Sequence, residues 1–318
     1  MRTVVIGGTG HIGTYLVPEL VRLGHDVVVL SRGERTPYQS SGAWNRVEMV
    51  QVDRDAEDAA GTFGQRVAGL RPDVVIDLIC FTEDSARQLA EAVDGKIQHL
   101  LHCGTIWVHG PSMIVPTRED APRKPFGEYG VQKAAIESYL LDKARRDGLP
   151  VTIIHPGHIC GPGWTPVNPA GTFDLGVYEK LAHGDDVLLP NLGLETLNPV
   201  HAEDVAGIFL AAIASRSTAI GESFHAVASD AVTLRGYAHA VADWFGQKAQ
   251  LGFVPIGQLR MQLPKQDAAA MWDHVEHSPN CSMEKAARLL GFRPRYSAIE
   301  AALSGISWLV ENGKIART

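Results

Sequence analysis

An apolar run that breaks into glycine at the start of the chain constrains the fold more than any other feature. Residues 1–13 read MRTVVIGGTGHIG. Thr3 to Ile6 have the composition of a short buried strand. Gly7, Gly8, Gly10 and Gly13 punctuate the turn, and Thr14, Tyr15, Leu16 and Val17 carry on as a helix. Glycine lets the backbone come close to a pyrophosphate, and the first turn of a helix offers free N–H groups and the positive end of its dipole. A strand before and a helix after are the context that separates a phosphate-binding turn from a bare tight turn. Gly7, Thr9, Gly10, His11, Ile12 and Gly13 are therefore candidate cofactor-binding residues.

Strands and helices then alternate. Further strands are predicted at Asp26–Leu30, Val47–Val52, Asp73–Ile79, Ile97–His102 and Val151–His155, and a long helix runs from about Tyr129 to Gly148. This repetition predicts an α/β fold, a doubly wound parallel sheet whose ligands bind at the carboxyl ends of the strands. After Gly161 prolines and glycines mark long irregular connections. Residues 1–163, with 197–230 returning to them, are expected to form the dinucleotide-binding domain. Residues 164–196 and 231–318 are expected to form a smaller C-terminal substrate-binding domain.

Composition excludes several classes. Lys and Arg number 29 against 36 Asp and Glu, a net charge of −7, and no basic block invites nucleic acid. No apolar run is long enough to span a membrane, and the first strand does not read as a signal peptide. The four cysteines show no C-x-x-C spacing, which fits a reduced, cytoplasmic protein. The histidines and cysteines near strand ends lack compact ligand spacing, so no metal is expected.

The second strand ends Leu30-Ser31-Arg32-Gly33, without the carboxylate that would hold the ribose 2′-hydroxyl of NAD. A hydroxyl and a guanidinium suit a 2′-phosphate, which favours NADP while leaving NAD open. Asp53, after the third strand, is a candidate for the adenine amino group; a local turn is its other reading.

Tyr129-Gly-Val-Gln-Lys133 places a phenol and an ammonium four residues apart, on one helix face. A free tyrosine, with a pKa of about 10, is a poor base at neutral pH. A nearby positive charge favours the phenolate, so Tyr129 is a candidate acid/base and Lys133 its partner, also placed to reach a cofactor ribose.

These segments together resemble an extended short-chain dehydrogenase/reductase of the NAD-dependent epimerase/dehydratase family, in a reductase-like branch. The resemblance rests on GGTGHIG at the start, DVVID at 73–77, CGTIWVHG at 103–110, YGVQK at 129–133, HPGHICGPG at 155–163, NPVHAEDVA at 198–206 and MEKAARLLGFRP at 283–294. It implies a Rossmann sheet, a homodimer, and Thr105 as the hydroxyl that holds the substrate oxygen. It also marks two departures. His158 stands where the family often has an Asn that meets a nucleotide-sugar phosphate, and Leu197 stands where an Arg commonly clamps the diphosphate. A less anionic substrate is thereby implied, a sugar derivative or small carbonyl compound. Trp107, His109 and His158 are expected to line its pocket.

The reading is then an NAD(P)-dependent oxidoreductase or epimerase that works by hydride transfer at a hydroxyl or carbonyl carbon. A nucleotide-sugar epimerase is one alternative. A non-catalytic dinucleotide-binding redox sensor is another, though such proteins typically lose the Tyr, the Lys or the hydroxyl residue that this chain retains.

Overall fold

A computed structural model describes residues 1–316. Its centre is a seven-stranded parallel sheet. Six strands come from the first half of the fold: β1 (Arg2–Ile6), β2 (Asp26–Ser31), β3 (Glu48–Gln51), β4 (Val74–Asp77), β5 (His99–Cys103) and β6 (Val151–Pro156). Ser223–Ala226 adds the seventh beside β6, so the order across the sheet is seventh strand, β6, β5, β4, β1, β2, β3. The chain reverses direction between β1 and β4, the place where an open sheet of this kind leaves a crevice at its strand ends.

Side chains on a strand alternate between faces, and here both faces are covered. Val4 and Ile6 of β1 pack with Val28, Val75, Ile153 and the helices α3 (Phe63–Gly69), α4 (Glu83–Val93) and α5 (Gly127–Asp147). Val5, between them, packs with Val29, Ile76 and Phe224 against α1 (His11–Arg22) and the helix Ala202–Ala214. Leu16, Val17, Leu20 and Val21 give α1 its buried stripe, each contributing roughly 1.5–3 kcal/mol of burial. Burial on both faces explains why the strands read as unbroken apolar runs.

The strand bounds differ from expectation by one or two residues, for local reasons. β4 stops at Asp77, whose carboxylate accepts the Ile79 N–H at 3.3 Å and turns the chain. β5 starts two residues late because Gln98 and His99 both donate to the Asp73 carbonyl ahead of regular pairing. α5 ends at Gly148, whose φ of 77° only glycine adopts freely.

A second apolar cluster lies beyond the sheet. It gathers Tyr178, Leu181, Val187, Leu189, Tyr237, Val241, Met271, Val275, Ile306 and Leu309 around a two-stranded parallel pair, Asp186–Pro190 with Gln250–Val254. The short helix Glu284–Leu290 instead returns to the sheet, placing Ala286 and Leu290 in the cluster below α1.

Two glycines of the first turn have steric reasons. Gly7 has φ +80°, and a Cβ there would lie 2.6 Å from Ile79 Cγ2. A Cβ on Gly13 would run into the Gly8 carbonyl, so the start of α1 can lie flush against the turn only as glycine.

Candidate active site

The glycine turn opens onto a cleft of about 250 Å³ at the ends of β1, β2 and β4. Gly7, Thr9 and Gly10 form one wall and Ser31, Arg32 and Gly33 the other. Gly10 caps α1 without a side-chain hydrogen bond, which leaves the helix N-terminus free to meet an anion. An uncapped helix start beside a turn that excludes Cβ atoms fits a dinucleotide pyrophosphate.

The remaining candidates of the turn face elsewhere. Ile12 is buried in the core below α1, and Gly13 packs on Gly8. The His11 ring stacks on Trp164 at 5.1 Å and meets Tyr38 edge-on at 5.7 Å. Asp53 is outside the cleft lining; its Oδ1 caps the helix Arg54–Ala59 by accepting the Ala56 N–H at 3.1 Å. Arg32 is exposed and pairs with Glu34 at 3.4 Å.

Sequence reasoning missed two arginines of the cleft, Arg35 and Arg54. Arg54 is buried. It forks onto Asp77 at 2.6 and 3.0 Å, reaches Asp58 at 3.2 Å and lies over the Phe63 ring at 4.8 Å. Burial alone would raise the Asp77 carboxyl, but the guanidinium holds it below the usual carboxylate range. The side chains of Asp77, Cys80 and His102 converge to within 4.8 Å, yet both Asp77 oxygens are occupied by Arg54. The signal for this pair was weak, because its partners lie on different elements.

At the far end of the crevice α5 presents Tyr129 and Lys133 on one face. Lys133 is buried, and its Nζ donates to the Cys80 carbonyl at 2.8 Å and the Cys103 carbonyl at 2.6 Å. Burial lowers its pKa below the ordinary lysine value. The ammonium lies 5.8 Å from the Tyr129 ring centre and 5.1 Å from that of Phe81. Tyr129 is partly exposed as a residue, and burial around the phenol pushes its pKa up to about 12, against the lowering effect of its hydrogen-bonding neighbour Thr105. Tyr129 therefore holds its proton at neutral pH. The Thr105 hydroxyl caps the short turn Ile106–His109 by accepting the Trp107 N–H at 3.3 Å.

Trp107 joins Tyr129 to an array of imidazoles. It meets Tyr129 edge-on at 5.8 Å and His274 at 5.5 Å, and it stacks on His277 at 4.4 Å. His158 meets His274 at 5.3 Å. Its Nδ1 accepts the Asn198 N–H at 3.2 Å, and its Nε2 is buried without a partner. His274 and His277 come from the helix Lys265–His277, far along the chain, and nothing in their local sequence marked them. His109 is placed differently: it is buried with its Nε2 2.8 Å from Nε2 of His225.

Sheet, turn and cleft define a Rossmann-type dinucleotide-binding protein. The model of the NAD dependent epimerase/dehydratase family matches residues 3–226, and the chain belongs to that family. It is 27% identical to a 2′-dehydrokanamycin reductase from Streptomyces kanamyceticus over 86% of this chain and 76% of that one. It is 29% identical to a UDP-glucose 4-epimerase from Mycolicibacterium smegmatis over 67% of this chain and 73% of that one. The structure of dTDP-glucose 4,6-dehydratase from Bacillus anthracis in complex with NAD superposes with a TM-score of 0.76 at 15% identity, covering 99% of this chain and 98% of that one. The relatives named here are enzymes, a reductase and an epimerase. Among the described residues no helix is long and apolar enough to cross a membrane.

The buried histidines set the pH range of the fold. Burial holds His11 and His109 at about 3, and His99, His201 and His277 at about 4, below the ordinary 6.5. As pH falls through about 6.5 the unfolded chain takes up protons that the folded chain refuses. The stability these neutral rings contribute is therefore complete above that pH and lost as it drops towards 4. Melting temperature should be level from about pH 7 to 8 and fall steadily below about 6.5. A melting temperature unchanged between about pH 7 and pH 5 would contradict this.

Proposed function

We propose that this protein is an NADP-dependent oxidoreductase or epimerase acting on a hydroxyl or carbonyl carbon of an uncharged, sugar-like or small carbonyl substrate. The observation that carries the reading is the placement of Tyr129, Lys133 and Thr105 together beside the glycine-turn cleft. The nicotinamide, when bound, supplies or takes the hydride. Thr105 Oγ1 hydrogen-bonds the substrate oxygen. Tyr129, protonated at neutral pH, gives its phenolic proton to that oxygen in reduction and recovers one from the hydroxyl in the reverse direction. Two of the three Lys133 N–H donors hold strand-end carbonyls, and the third is left for the cofactor ribose. Its charge favours the phenolate when Tyr129 gives up the proton.

Support for an uncharged substrate comes from the two departures noted above. Leu197 is fully buried in the second apolar cluster and offers no charge. His158 is kept neutral at physiological pH, first by burial and then by His274 and His277. The relative named for a dehydrokanamycin, rather than for a nucleotide sugar, agrees with a substrate that carries no diphosphate. The relative named UDP-glucose 4-epimerase favours the second reading, nucleotide-sugar epimerisation. Ser31, Arg32 and Arg35 around the cleft support NADP, and the four buried free cysteines support a cytoplasmic setting.

Arg32→Ala should weaken NADP binding by roughly 10- to 100-fold, since a hydrogen bond to a charged group contributes roughly 1.5–3 kcal/mol, and leave NAD binding nearly unchanged. Calorimetric titration of both dinucleotides checks this; equal weakening of the two would contradict the assignment. Tyr129→Phe should lower kcat by roughly 10²–10⁴-fold while the cofactor dissociation constant stays put. The assay follows the reduced nicotinamide across unactivated sugars, polyols, small ketones and sugar nucleotides. Wild-type turnover by the Phe variant would overturn the role of Tyr129. A sugar nucleotide consumed far faster than every uncharged compound would overturn the substrate class.

A further inference from the structure

Tyr129 and Lys133 share a helix, whereas Thr105 sits on a loop after β5. Their mutual placement therefore needs a tie between elements. Glu137 lies on the same face of α5, one turn beyond Lys133. It is buried, and its Oε1 accepts from His155 Nε2, at the end of β6, at 2.9 Å. Arg123 forks onto Glu137 through Nε at 2.8 Å and Nη2 at 2.6 Å. The remaining Nη1 donates to the Glu119 and Ala121 carbonyls at 2.7 Å each. Burial would raise the Glu137 carboxyl, but the hydrogen bonds from His155 and Arg123 and the Arg123 charge hold it below the usual range.

The other nitrogen of His155 faces the active site. Its Nδ1 accepts the backbone N–H of Thr105 at 3.0 Å, and the Nδ1–Cε1 edge of the ring comes so close to Gly104 that a Cβ there would run into it. The hydrogen-bond polarity follows from chemistry alone. An amide N–H only donates, so Nδ1 carries a lone pair; a carboxylate only accepts, so Nε2 carries the proton. A doubly protonated ring would set one N–H against another.

We propose that Arg123, Glu137 and His155 form a positioning relay that sets Thr105 against Tyr129. This rests on the reading that Thr105 holds the substrate oxygen. The relay links three elements, the end of β6, the loop after β5 and the catalytic face of α5, and it reaches Thr105 through the backbone rather than through the hydroxyl. Moving the Thr105 backbone would shift the hydroxyl and also Trp107, whose N–H that hydroxyl caps and whose ring borders Tyr129. His155, Glu137 and Arg123 act through Thr105 and are positioning residues, not catalytic ones. A purely structural ion pair would need Arg123 and Glu137 but not the bond from His155 to the residue that carries the hydroxyl.

Side-chain topology offers a separating test. The amide oxygen of Asn occupies the place of His Nδ1, and the amide nitrogen of Gln occupies that of Nε2. His155→Asn keeps the acceptor for Thr105 and loses the donor to Glu137; His155→Gln does the reverse. The expected result is a loss of kcat of about 10²-fold for Gln, which loses the bond to Thr105, the scale of a 1 Å misplacement, and a clearly smaller loss for Asn, which keeps that bond but no longer ties it to Glu137, with KM and melting temperature changing alike in both. Equal kcat in the two variants, or losses that merely track melting temperature, would overturn the relay. His155→Leu is the full deletion, and the Asn–Gln comparison decides even where Leu fails to fold. A second readout needs no substrate: amide hydrogen exchange at Thr105 should be slow in wild type and Asn and fast in Gln, and slow exchange in Gln would overturn the proposal. A wild-type protein without turnover on any carbonyl or alcohol would instead contradict the proposed function, and the exchange measurement would still judge the relay.

Discussion

A buried ammonium is the constraint around which the candidate site is arranged. A charge removed from water costs several kcal/mol unless it is hydrogen-bonded. Lys133 meets that cost with the carbonyls of Cys80 and Cys103, which follow β4 and end β5. Those two bonds hold α5 across the strand ends, and with it Tyr129 one turn earlier and Glu137 one turn later. The sheet supplies the carbonyls only because its strands stop where they do: Asp77 turns the chain after β4, and Gly104 allows the chain to pass His155 after β5. The chemistry of the crevice thus depends on strand termini rather than on the sheet interior.

The two ends of the crevice differ in charge. The glycine-turn end carries Arg32, Arg35, Glu34, Asp55 and a bare helix N-terminus, with Arg54 and Asp77 fixed below them. The Tyr129 end is walled by Trp107, His158, His274 and His277, imidazoles that burial keeps neutral. The charged side chains and the neutral rings are thus physically separate. On the proposed function, a phosphate-bearing cofactor takes the first end and a hydroxyl-bearing substrate the second.

Much of this was legible in the sequence where the signal is local. Apolar runs bounded by glycine and aspartate located the strands because both sheet faces are covered, and the fold class followed. The i, i+4 spacing of Tyr129 and Lys133 needs only helix geometry. What stayed hidden depends on distant partners. Arg54 shows no role until Asp77 is brought against it, and His274 and His277 are ordinary helix residues until Lys265–His277 folds back over Trp107. His109 read as a pocket residue from its place after β5, but its ring is held by His225, 116 positions on. Asp53 read as an adenine contact or a local turn, and its carboxylate makes the capping bond that any Asp before a helix can make. The partial burial that pushes the Tyr129 phenol up follows from the loops that pack around α5 and had no local signal.

The central claim is that this site moves a hydride between a nicotinamide and a substrate carbon while Tyr129 moves the proton. Label transfer tests it most directly. The protein would be incubated with NADPH deuterated at the hydride-carrying carbon and with a panel of uncharged carbonyl compounds, and the products analysed by mass spectrometry. The account predicts one deuterium on the new carbinol carbon of at least one product, and none in reactions run with Tyr129→Phe. Substrate consumption without deuterium on that carbon, or equal labelling by the Phe variant, would contradict it.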